Sequence, residues 1–408
     1  MFKGITEIKN QLWSLDSATK RNILLLGFAA FSILFSYPLI RSSATAVFLQ
    51  NYGAKNSPAV WVWSVLALSI LVSLYNHYQL KFRIHNLYAA TGIFSIAFIL
   101  ICMAMIDFGH GVYAWPLYVW KEVYIVVMLH MVYGLLNTLV DIKIARILYG
   151  PLGALGSLGG IFGGLLASEL ASHMQVSGIT IVGCLIIIMS IFSYLLSDRV
   201  ELKTGKADKA TQSPLASVKG VGSYVSMMAV VVILTQFVIN LANFKFNILF
   251  EIAVPDQVEK TAQLGRLYTW INSLAFALQV IVLPFLLRFV SLRKIHIFIP
   301  IVYVLAQFWS IGGGALAVAS MFMILKGTDY SIFAVCKELL YFPLSDKQKY
   351  GAKYIVDMFC YRFGKGLISF IMIYVQTLIW IDVMLYAALG LWLCLVFPLL
   401  KKHKELQG

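Results

Sequence analysis

The boundary between a long apolar stretch and the polar stretch after it decides the fold of this chain. Residues 176–197 read VSGITIVGCLIIIMSIFSYLLS, and residues 198–222 read DRVELKTGKADKATQSPLASVKGVG. The first stretch has no charged residue and reaches the roughly 20 residues that a helix needs to cross a bilayer. The second is polar and carries both acids and bases. A membrane-spanning helix followed by a hydrophilic linker is therefore predicted.

The same apolar pattern recurs on both sides of this boundary. Twelve spans are predicted, at residues 22–48, 58–79, 86–106, 113–139, 150–171, 176–197, 223–250, 262–288, 295–311, 313–340, 353–379 and 381–399. The chain then divides into a cytoplasmic amphipathic segment (1–21), an N-terminal six-helix half (22–197), a cytoplasmic linker (198–222), a C-terminal six-helix half (223–399) and a cytoplasmic tail (400–408). Two six-helix halves are the plan of major-facilitator carriers, which are built from repeats. We therefore predict an all-α membrane protein with a major-facilitator-like fold.

Composition excludes a soluble protein and argues against a nucleic-acid partner. The 408 residues are 60% hydrophobic and 12% charged, about half the charged share of a soluble domain. The net charge of +14 arises from Lys and Arg that cluster in alternate short loops, the linker and the tail. The positive-inside rule explains that placement without nucleic acid, and it puts both termini in the cytoplasm. The five cysteines and seven histidines show no spacing typical of a metal or redox site, so no metal and no cofactor are expected.

Charged residues inside the predicted spans are the strongest functional signal, because each costs roughly 2.5–3.5 kcal/mol at the bilayer centre. They concentrate on helices 1, 4, 7 and 10, which line the central cavity in a major-facilitator architecture. Seven bases face five acids: Arg41, Lys121, Lys245, Lys326, Lys337, Arg362 and Lys365 against Glu122, Glu251, Asp329, Glu338 and Asp357. A surplus of cations suits phosphate or carboxylate oxygens. The sequence therefore predicts an anionic solute.

Helical phase places polar residues of helices 4, 7, 10 and 11 on shared faces. The residues predicted to bind the solute are Arg41, Lys121, Glu122, Tyr133, Asn137, Asn243, Asn247, Glu251, Lys326, Asp329, Lys337, Tyr361 and Lys365. Glu338, Asp357 and Arg362 lie towards the cytoplasmic ends of their helices and are assigned to gating or salt bridges. The alternative is that acids and bases only pair, for example Asp329 with Lys326 three residues away. Lys245 points away from the polar stripe of helix 7.

Helix 5 is rich in glycine, at positions 150, 153, 156, 159, 160, 163 and 164. A phosphate-binding loop would need Gly-x-x-x-x-Gly-Lys-Ser/Thr after a strand, and that pattern is missing. Small residues at three- and four-residue spacing let membrane helices approach closely. These glycines are therefore predicted to pack against neighbouring helices.

Several segments resemble the bacterial and plastid ATP/ADP translocases, in the same order along nearly the whole chain. They are Tyr37-Pro38-Leu39-Ile40-Arg41, Trp120-Lys121-Glu122, Ala145-Arg146-Ile147-Leu148-Tyr149-Gly150-Pro151-Leu152-Gly153, Asn247-Ile248-Leu249-Phe250-Glu251, and Lys337-Glu338-Leu339-Leu340-Tyr341-Phe342-Pro343-Leu344 with Asp357, Arg362 and Gly364-Lys365 after it. The resemblance implies a nucleotide carrier of the bacterial inner membrane. The chain departs from that family at Ser42-Ser43-Ala44-Thr45 and Ile252-Ala253-Val254, where two cavity lysines are missing.

The leading hypothesis is a secondary active transporter, not an enzyme, that moves a nucleotide by ATP/ADP-type exchange, or a similar phosphorylated metabolite, by alternating access. It is expected to be a multi-pass monomer in the bacterial inner (cytoplasmic) membrane, with the lipid bilayer and the anionic solute as its partners. One alternative is a carrier of another organic anion, proton-coupled through Glu122 or Glu251. A membrane enzyme acting on lipid-linked phosphates would need a paired acid–base or metal cluster. Glu122 and His130 come nearest to such a cluster but have no third partner.

Overall fold

The computed structural model describes residues 15–78, 81–140, 142–198 and 213–407, without the side chains of residues 76, 142–150 and 346. Most of the predicted amphipathic segment and of the predicted linker lies outside these residues. Twelve long helices occur in the described part: α1 (Ser17–Tyr52), α2 (Ser57–Tyr78), α3 (Ile84–Asp107), α4 (Ala114–Leu139), α5 (Ile142–Leu170), α6 (Val176–Leu195), α7 (Gly222–Ala253), α8 (Gln257–Phe289), α9 (Leu292–Trp309), α10 (Gly314–Leu339), α11 (346–374) and α12 (Leu378–Gln407). No strand interrupts the described residues, so the all-α prediction is confirmed.

Eleven of these helices, all except α11, are long and apolar enough to cross a membrane. Helix α11 fails that criterion because it carries Lys347, Lys349, Lys353, Asp357, Arg362 and Lys365. Helices suit a bilayer because each satisfies its backbone hydrogen bonds internally. Large apolar side chains such as Phe108, Leu316 and Ile379 are exposed, as lipid-facing residues should be. The chain is therefore a multi-pass membrane protein.

Local sequence explains where several helices begin and end. Gly53 follows α1 with φ of 75°, a conformation that glycine adopts without steric cost. The Ser345 hydroxyl accepts from the Gln348 amide, and the Gln348 side chain accepts from the Ser345 amide, so a capping box starts α11. The Asp16 carboxylate accepts from the Thr19 amide at 3.1 Å. Hydrogen bonds to Thr19 lower the pKa of Asp16, because they favour its charged form.

Among the described residues, three helices contain a turn of π-helix, at Leu278–Val282 in α8, Asp329–Phe333 in α10 and Tyr354–Cys360 in α11. Such turns are rare and often occur at functional sites. Two predicted site acids, Asp329 and Asp357, lie within them. A π turn holds more residues than an α turn. Residues on either side of it therefore do not share the face that a period of 3.6 residues predicts.

The described residues form two compact units. Unit 1 comprises the described residues within 1–51, 66–204 and 256–272, and unit 2 comprises those within 52–65, 205–255 and 273–408. The start of α2 thus belongs to the unit that contains α7, and the start of α8 to the unit that contains α1. The predicted boundaries of the two six-helix halves stay predictions.

Each unit has an apolar interior of its own. In unit 1, Leu39, Ala167, Ile179, Ile186 and Ala262 form a buried cluster. The beginning of α1 is tied to the end of α6, where Asn22 donates to the Asp198 carboxylate at 2.8 Å and Arg21 forms an ion pair with it. In unit 2, Trp392 of α12 is fully buried, with the rings of Tyr303 and Phe333 packed against its edge.

Five glycines of α5, at positions 156, 159, 160, 163 and 164, pack against other helices of unit 1, as the sequence predicts. A Cβ on Gly159 would lie 2.8 Å from the Phe31 carbonyl oxygen. A Cβ on Gly164 would lie 2.6 Å from the carbonyl oxygen of Gly265 in α8. Both positions face backbone atoms, which cannot rotate away, so glycine permits these close helix contacts.

Replacing Gly159 by alanine is expected to destabilise the protein by about 1–3 kcal/mol, because the added methyl group overpacks the α1–α5 contact. The matched control is Gly134→Ala in α4, where a Cβ meets nothing within 4 Å. Thermal unfolding in detergent measures both variants. Equal melting temperatures for both would contradict the assigned packing role.

Candidate functional site

Arg41 lies in α1 between two tyrosine rings of unit 1. Its guanidinium carbon is 5.4 Å from the ring centroid of Tyr37, one turn earlier, and 4.2 Å from that of Tyr268 in α8. Both distances fall within the range of cation–π attraction. These rings position a planar fork that can bind a carboxylate or phosphate through two parallel hydrogen bonds.

Thr45 lies one turn beyond Arg41, on the same face of α1 because side chains four residues apart are neighbours. Its hydroxyl is buried and makes no hydrogen bond within the described chain, and the same holds for Ser42 and Ser43. Leaving a buried hydroxyl unsatisfied costs about 1–3 kcal/mol. A bound oxyanion beside Arg41 could satisfy Thr45.

Lys121 of α4 is fully buried, and its ammonium lies 2.7 Å from a carboxylate oxygen of its neighbour Glu122. It also lies 3.6 Å from the ring centroid of Tyr118. One-fifth of the Glu122 side chain remains exposed. Lys121 therefore has a carboxylate and a ring as partners. This contact agrees with the alternative that intramembrane acids and bases only pair with each other. Further along α4, Tyr133 is half-buried and Asn137 exposed.

The polar stripe predicted on α7 meets the turn that precedes α2, within unit 2. The Glu251 carboxylate accepts from the Ala54 amide at 2.7 Å, and Asn247 donates to the Ser57 hydroxyl at 3.2 Å. Asn243 is half-buried. Glu251 and Asn247 thus hold a backbone turn in this structure, and their predicted role in solute binding stays a prediction.

In α10, Lys326 and Asp329 form no ion pair, so the structure does not support the pairing that their spacing allows. The Lys326 ammonium instead lies 5.0 Å from the ring centroid of Tyr330, which is 44% exposed. Asp329 begins the π turn of α10 and is buried. The predicted pairing assumed a regular α-helix, in which residues three apart are neighbours. The π turn departs from that geometry at Asp329.

Two ion pairs join α10 to α11. Lys337 lies 2.7 Å from Asp357, and Lys353 lies 2.5 Å from Glu338. Both pairs are partly exposed and lie inside unit 2, so Glu338 and Asp357 form salt bridges here. Their predicted gating role and the predicted solute role of Lys337 stay predictions. The remaining predicted residues of α11 are Tyr361, Arg362 and Lys365, which are exposed, half-buried and half-buried.

Sequence reasoning missed a polar cluster of unit 2 that is centred on the buried Lys245. The Lys245 ammonium of α7 lies 2.6 Å from the carboxylate of Asp382 in α12 and donates to the Ser310 hydroxyl at 3.0 Å. Gln307 of α9 donates to the same carboxylate oxygen at 2.6 Å. Asp382 lies within the predicted helix 12 (381–399) but was not among the predicted intramembrane charges. Helix α12 in fact begins at Leu378, so Asp382 lies in its second turn.

Comparison with known proteins gives distant relatives along the full length. No family model matches the chain. It is 21% identical to ADP,ATP carrier protein 3 of Rickettsia felis and 20% identical to that of Rickettsia conorii, in both cases over 98% of this chain and 98% of the relative. These carriers agree with the resemblance found in the sequence.

Several solved structures similar to this one are transporters. A variant of the nucleoside transporter NupG has a TM-score of 0.69 at 13% identity, over 93% of this chain and 99% of that chain. The D-xylose-proton symporter has a TM-score of 0.67 at 12% identity, over 92% and 98%. The fold is therefore major-facilitator-like, as predicted. The relatives and the similar structures support the prediction that this chain is a transporter and not an enzyme.

Proposed function

We propose that the chain is a secondary active transporter of an anionic, phosphorylated solute, with a nucleotide exchanged in the ATP/ADP manner as the leading candidate. The observation that carries this proposal is Arg41, a guanidinium held between two tyrosine rings inside a membrane-spanning helix. Ionisable residues at such depth mark substrate or ion pathways. A planar fork with five donors fits a phosphate group better than a point charge does.

The charges of the described residues agree with an anion. Three of the predicted intramembrane bases, Lys121, Lys245 and Lys337, lie beside carboxylates. Arg41 lies against the Tyr37 and Tyr268 rings, and Lys326 lies against the Tyr330 ring. We propose that Arg41 and Lys326 each bind an anionic group of the solute, with Thr45 donating its hydroxyl beside Arg41.

The nucleotide assignment has two supports. The distant relatives from Rickettsia are ADP,ATP carriers by name, and the resembling segments include the one that contains Arg41. Tyrosine rings beside the cations also offer faces for stacking a planar base.

A second candidate is another phosphorylated or organic anion. It is favoured by the segment Ser42-Ser43-Ala44-Thr45, where the ATP/ADP translocases carry additional charge. Here Ser42, Ser43 and Thr45 are buried. A chain with fewer cavity lysines suits a solute with fewer negative charges.

Exchange and binding by the purified full chain test both candidates. Proteoliposomes loaded with unlabelled ATP should accumulate labelled ADP, and unlabelled ATP should compete whereas adenosine, which lacks phosphate, should not. Competition by adenosine equal to that by ATP would contradict an anion carrier. Competition by a sugar phosphate but not by ATP would favour the second candidate.

We further propose that both termini and the linker face the cytoplasm of a bacterial inner membrane. Single cysteines at exposed positions, Lys219→Cys in the linker and Glu405→Cys near the end of α12, should be protected from an impermeant maleimide in intact cells. His110→Cys, in the exposed turn after α3, should be labelled. These cysteines should be introduced into a Cys394→Ser protein, because the native Cys394 is exposed and could itself be labelled. The reverse labelling pattern would contradict this orientation.

A further inference from the structure

A cavity of about 990 Å³ lies between the start of α9 and the end of α12, within unit 2. That volume is at the upper end of the range of small-molecule sites, roughly 300–1,000 Å³. None of the residues predicted to bind the solute lines this cavity. It therefore needs an explanation other than the proposed transport site.

The apolar part of the lining marks the edge of the membrane. Leu292 of α9 and Phe397 and Leu400 of α12 line the cavity. No Asp, Glu, Lys or Arg occurs over residues 295–309 of α9 or over residues 383–400 of α12. Phe397 is 49% exposed, as a side chain in contact with lipid should be. The cavity thus lies where the apolar parts of both helices end and the headgroup region of a bilayer begins.

Three cations, Arg293, Lys401 and Lys404, line the same cavity, and Glu405 is the acid among its lining residues. All three cations are exposed, and none of them forms an ion pair with another described residue. Lys401 and Lys404 follow Phe397 by four and seven residues, which places the three side chains on one face of α12. The cavity therefore presents cations without carboxylate partners directly beyond an apolar wall.

The wall that α12 contributes is held in place by His403, which is buried although Lys404 beside it is exposed. Its Nδ1 lies 2.8 Å from the hydroxyl of Tyr224 in α7, and its Nε2 lies 3.1 Å from the side-chain nitrogen of Gln407. The Tyr224 hydroxyl also donates to the Leu340 carbonyl oxygen at 2.7 Å. Since both ring nitrogens have partners inside the protein, His403 fixes the helix end rather than a ligand. A cavity with a fixed wall binds a ligand with less loss of conformational entropy.

We propose that this cavity binds an anionic phospholipid. Its phosphate would lie beside Arg293, Lys401 and Lys404, and its first acyl carbons would lie against Leu292 and Phe397. Lys and Arg at a membrane surface attract anionic lipids, and the planar fork of arginine can bind two phosphate oxygens at once.

Both parts of the lining favour this class of ligand over its nearest rivals. A soluble phosphate compound would leave the apolar wall uncovered, and a zwitterionic lipid would bring a further cation close to the three basic side chains. The proposed orientation places the end of α12 at the cytoplasmic leaflet, whose surface is negatively charged. The site is independent of the solute, because none of its residues is assigned to transport.

Lipid binding to the purified full chain in an uncharged detergent tests the proposal without any solute. Native mass spectrometry counts the bound molecules during titration with phosphatidylglycerol, phosphatidylcholine or glycerol 3-phosphate. The wild type should bind phosphatidylglycerol at least roughly tenfold more tightly than the other two. Equal binding of phosphatidylcholine would show that charge plays no part. Displacement of the lipid by an equal concentration of glycerol 3-phosphate would identify a site for a soluble phosphate. Either result would overturn the proposal.

Two double variants then separate the cavity from the positive charge of the surface as a whole. Arg293→Ala/Lys401→Ala removes two cations that line the cavity. Lys294→Ala/Lys402→Ala removes equal charge from the same helices at neighbouring positions that do not line it. The first pair should bind phosphatidylglycerol on the order of 30-fold more weakly than the wild type, whereas the second pair should bind it like the wild type.

Thermal unfolding provides a second readout, because a lipid that binds only the folded chain stabilises it. Phosphatidylglycerol should raise the unfolding temperature of the wild type and of Lys294→Ala/Lys402→Ala, and it should raise that of Arg293→Ala/Lys401→Ala much less. Equal losses of binding in both pairs would mean that no cavity site exists. If the cavity pair fails to fold, Lys404→Ala compared with Lys402→Ala carries the same test.

Discussion

Arg41→Ala should bind the anionic solute roughly 30-fold or more weakly than the wild type. Truncating one partner of a desolvated charge pair typically costs about 2–5 kcal/mol, and Arg41 is held within a membrane-spanning helix by the Tyr37 and Tyr268 rings. Titration of purified protein with ADP measures the change. Arg41→Lys should also bind weakly, because an ammonium cannot reproduce the two-pronged fork.

The matched control is Arg266→Ala, which removes an exposed arginine of α8 that contacts Ser168. It should bind ADP like the wild type. Thr45→Val, nearly the same shape without the hydroxyl, should show a smaller loss than Arg41→Ala, of the order of one neutral hydrogen bond. Unchanged affinity in Arg41→Ala, with folding intact, would mean that this cation is structural and that the anion-carrier proposal is wrong.

Glu122→Gln is expected to destabilise the protein by about 3–5 kcal/mol, because it removes the carboxylate from a buried ammonium. Lys121 is fully buried, whereas Glu122 keeps some exposure. Lys121→Met should therefore be milder, since the remaining carboxylate can still reach water. The double variant Lys121→Met/Glu122→Gln should recover most of the stability lost in Glu122→Gln.

Thermal unfolding in detergent, together with ADP titration of each variant, separates a structural pair from a solute ligand. A Glu122→Gln protein as stable as the wild type would contradict the structural pair, and weakened ADP binding in a stable Lys121→Met protein would assign Lys121 to the solute. Recovery of stability without recovery of binding in the double variant would assign both roles to Lys121.

The architecture could be predicted because lipid imposes one strong rule on the sequence. Long apolar runs must form helices, and all twelve predicted spans overlap a helix of the described chain. Glycine spacing in α5 likewise predicts close packing, because only glycine leaves room for a backbone such as that of Phe31. The helix ends were less predictable, because hydrophobicity decreases gradually along the sequence near the membrane–water interface. The start of α12 at Leu378 and its continuation to Gln407 are the clearest cases.

The site was only partly predictable, because charge pairing depends on tertiary contacts. Lys245 and Asp382 are 137 residues apart, and nothing local to either residue indicates the other. The pairing of Lys337 with Asp357 crosses from α10 to α11, and Asp357 lies in a π turn, which apolar periodicity does not reveal. Arg41 was found because a lone base in an apolar run stands out. Its tyrosine partner Tyr268 lies in α8 and could not be assigned from α1 alone.

The membership of the two units bears on what happens when the chain is divided. Residues 52–65 belong with α7, through Ala54–Glu251 and Ser57–Asn247, and residues 256–272 belong with α1, through Lys260–Gln50. A gene split at the linker would give two fragments, each with a helix start whose packing partners lie on the other fragment. These contacts would then have to form between the two fragments. We therefore expect that both fragments must be expressed together for either unit to form all of its contacts.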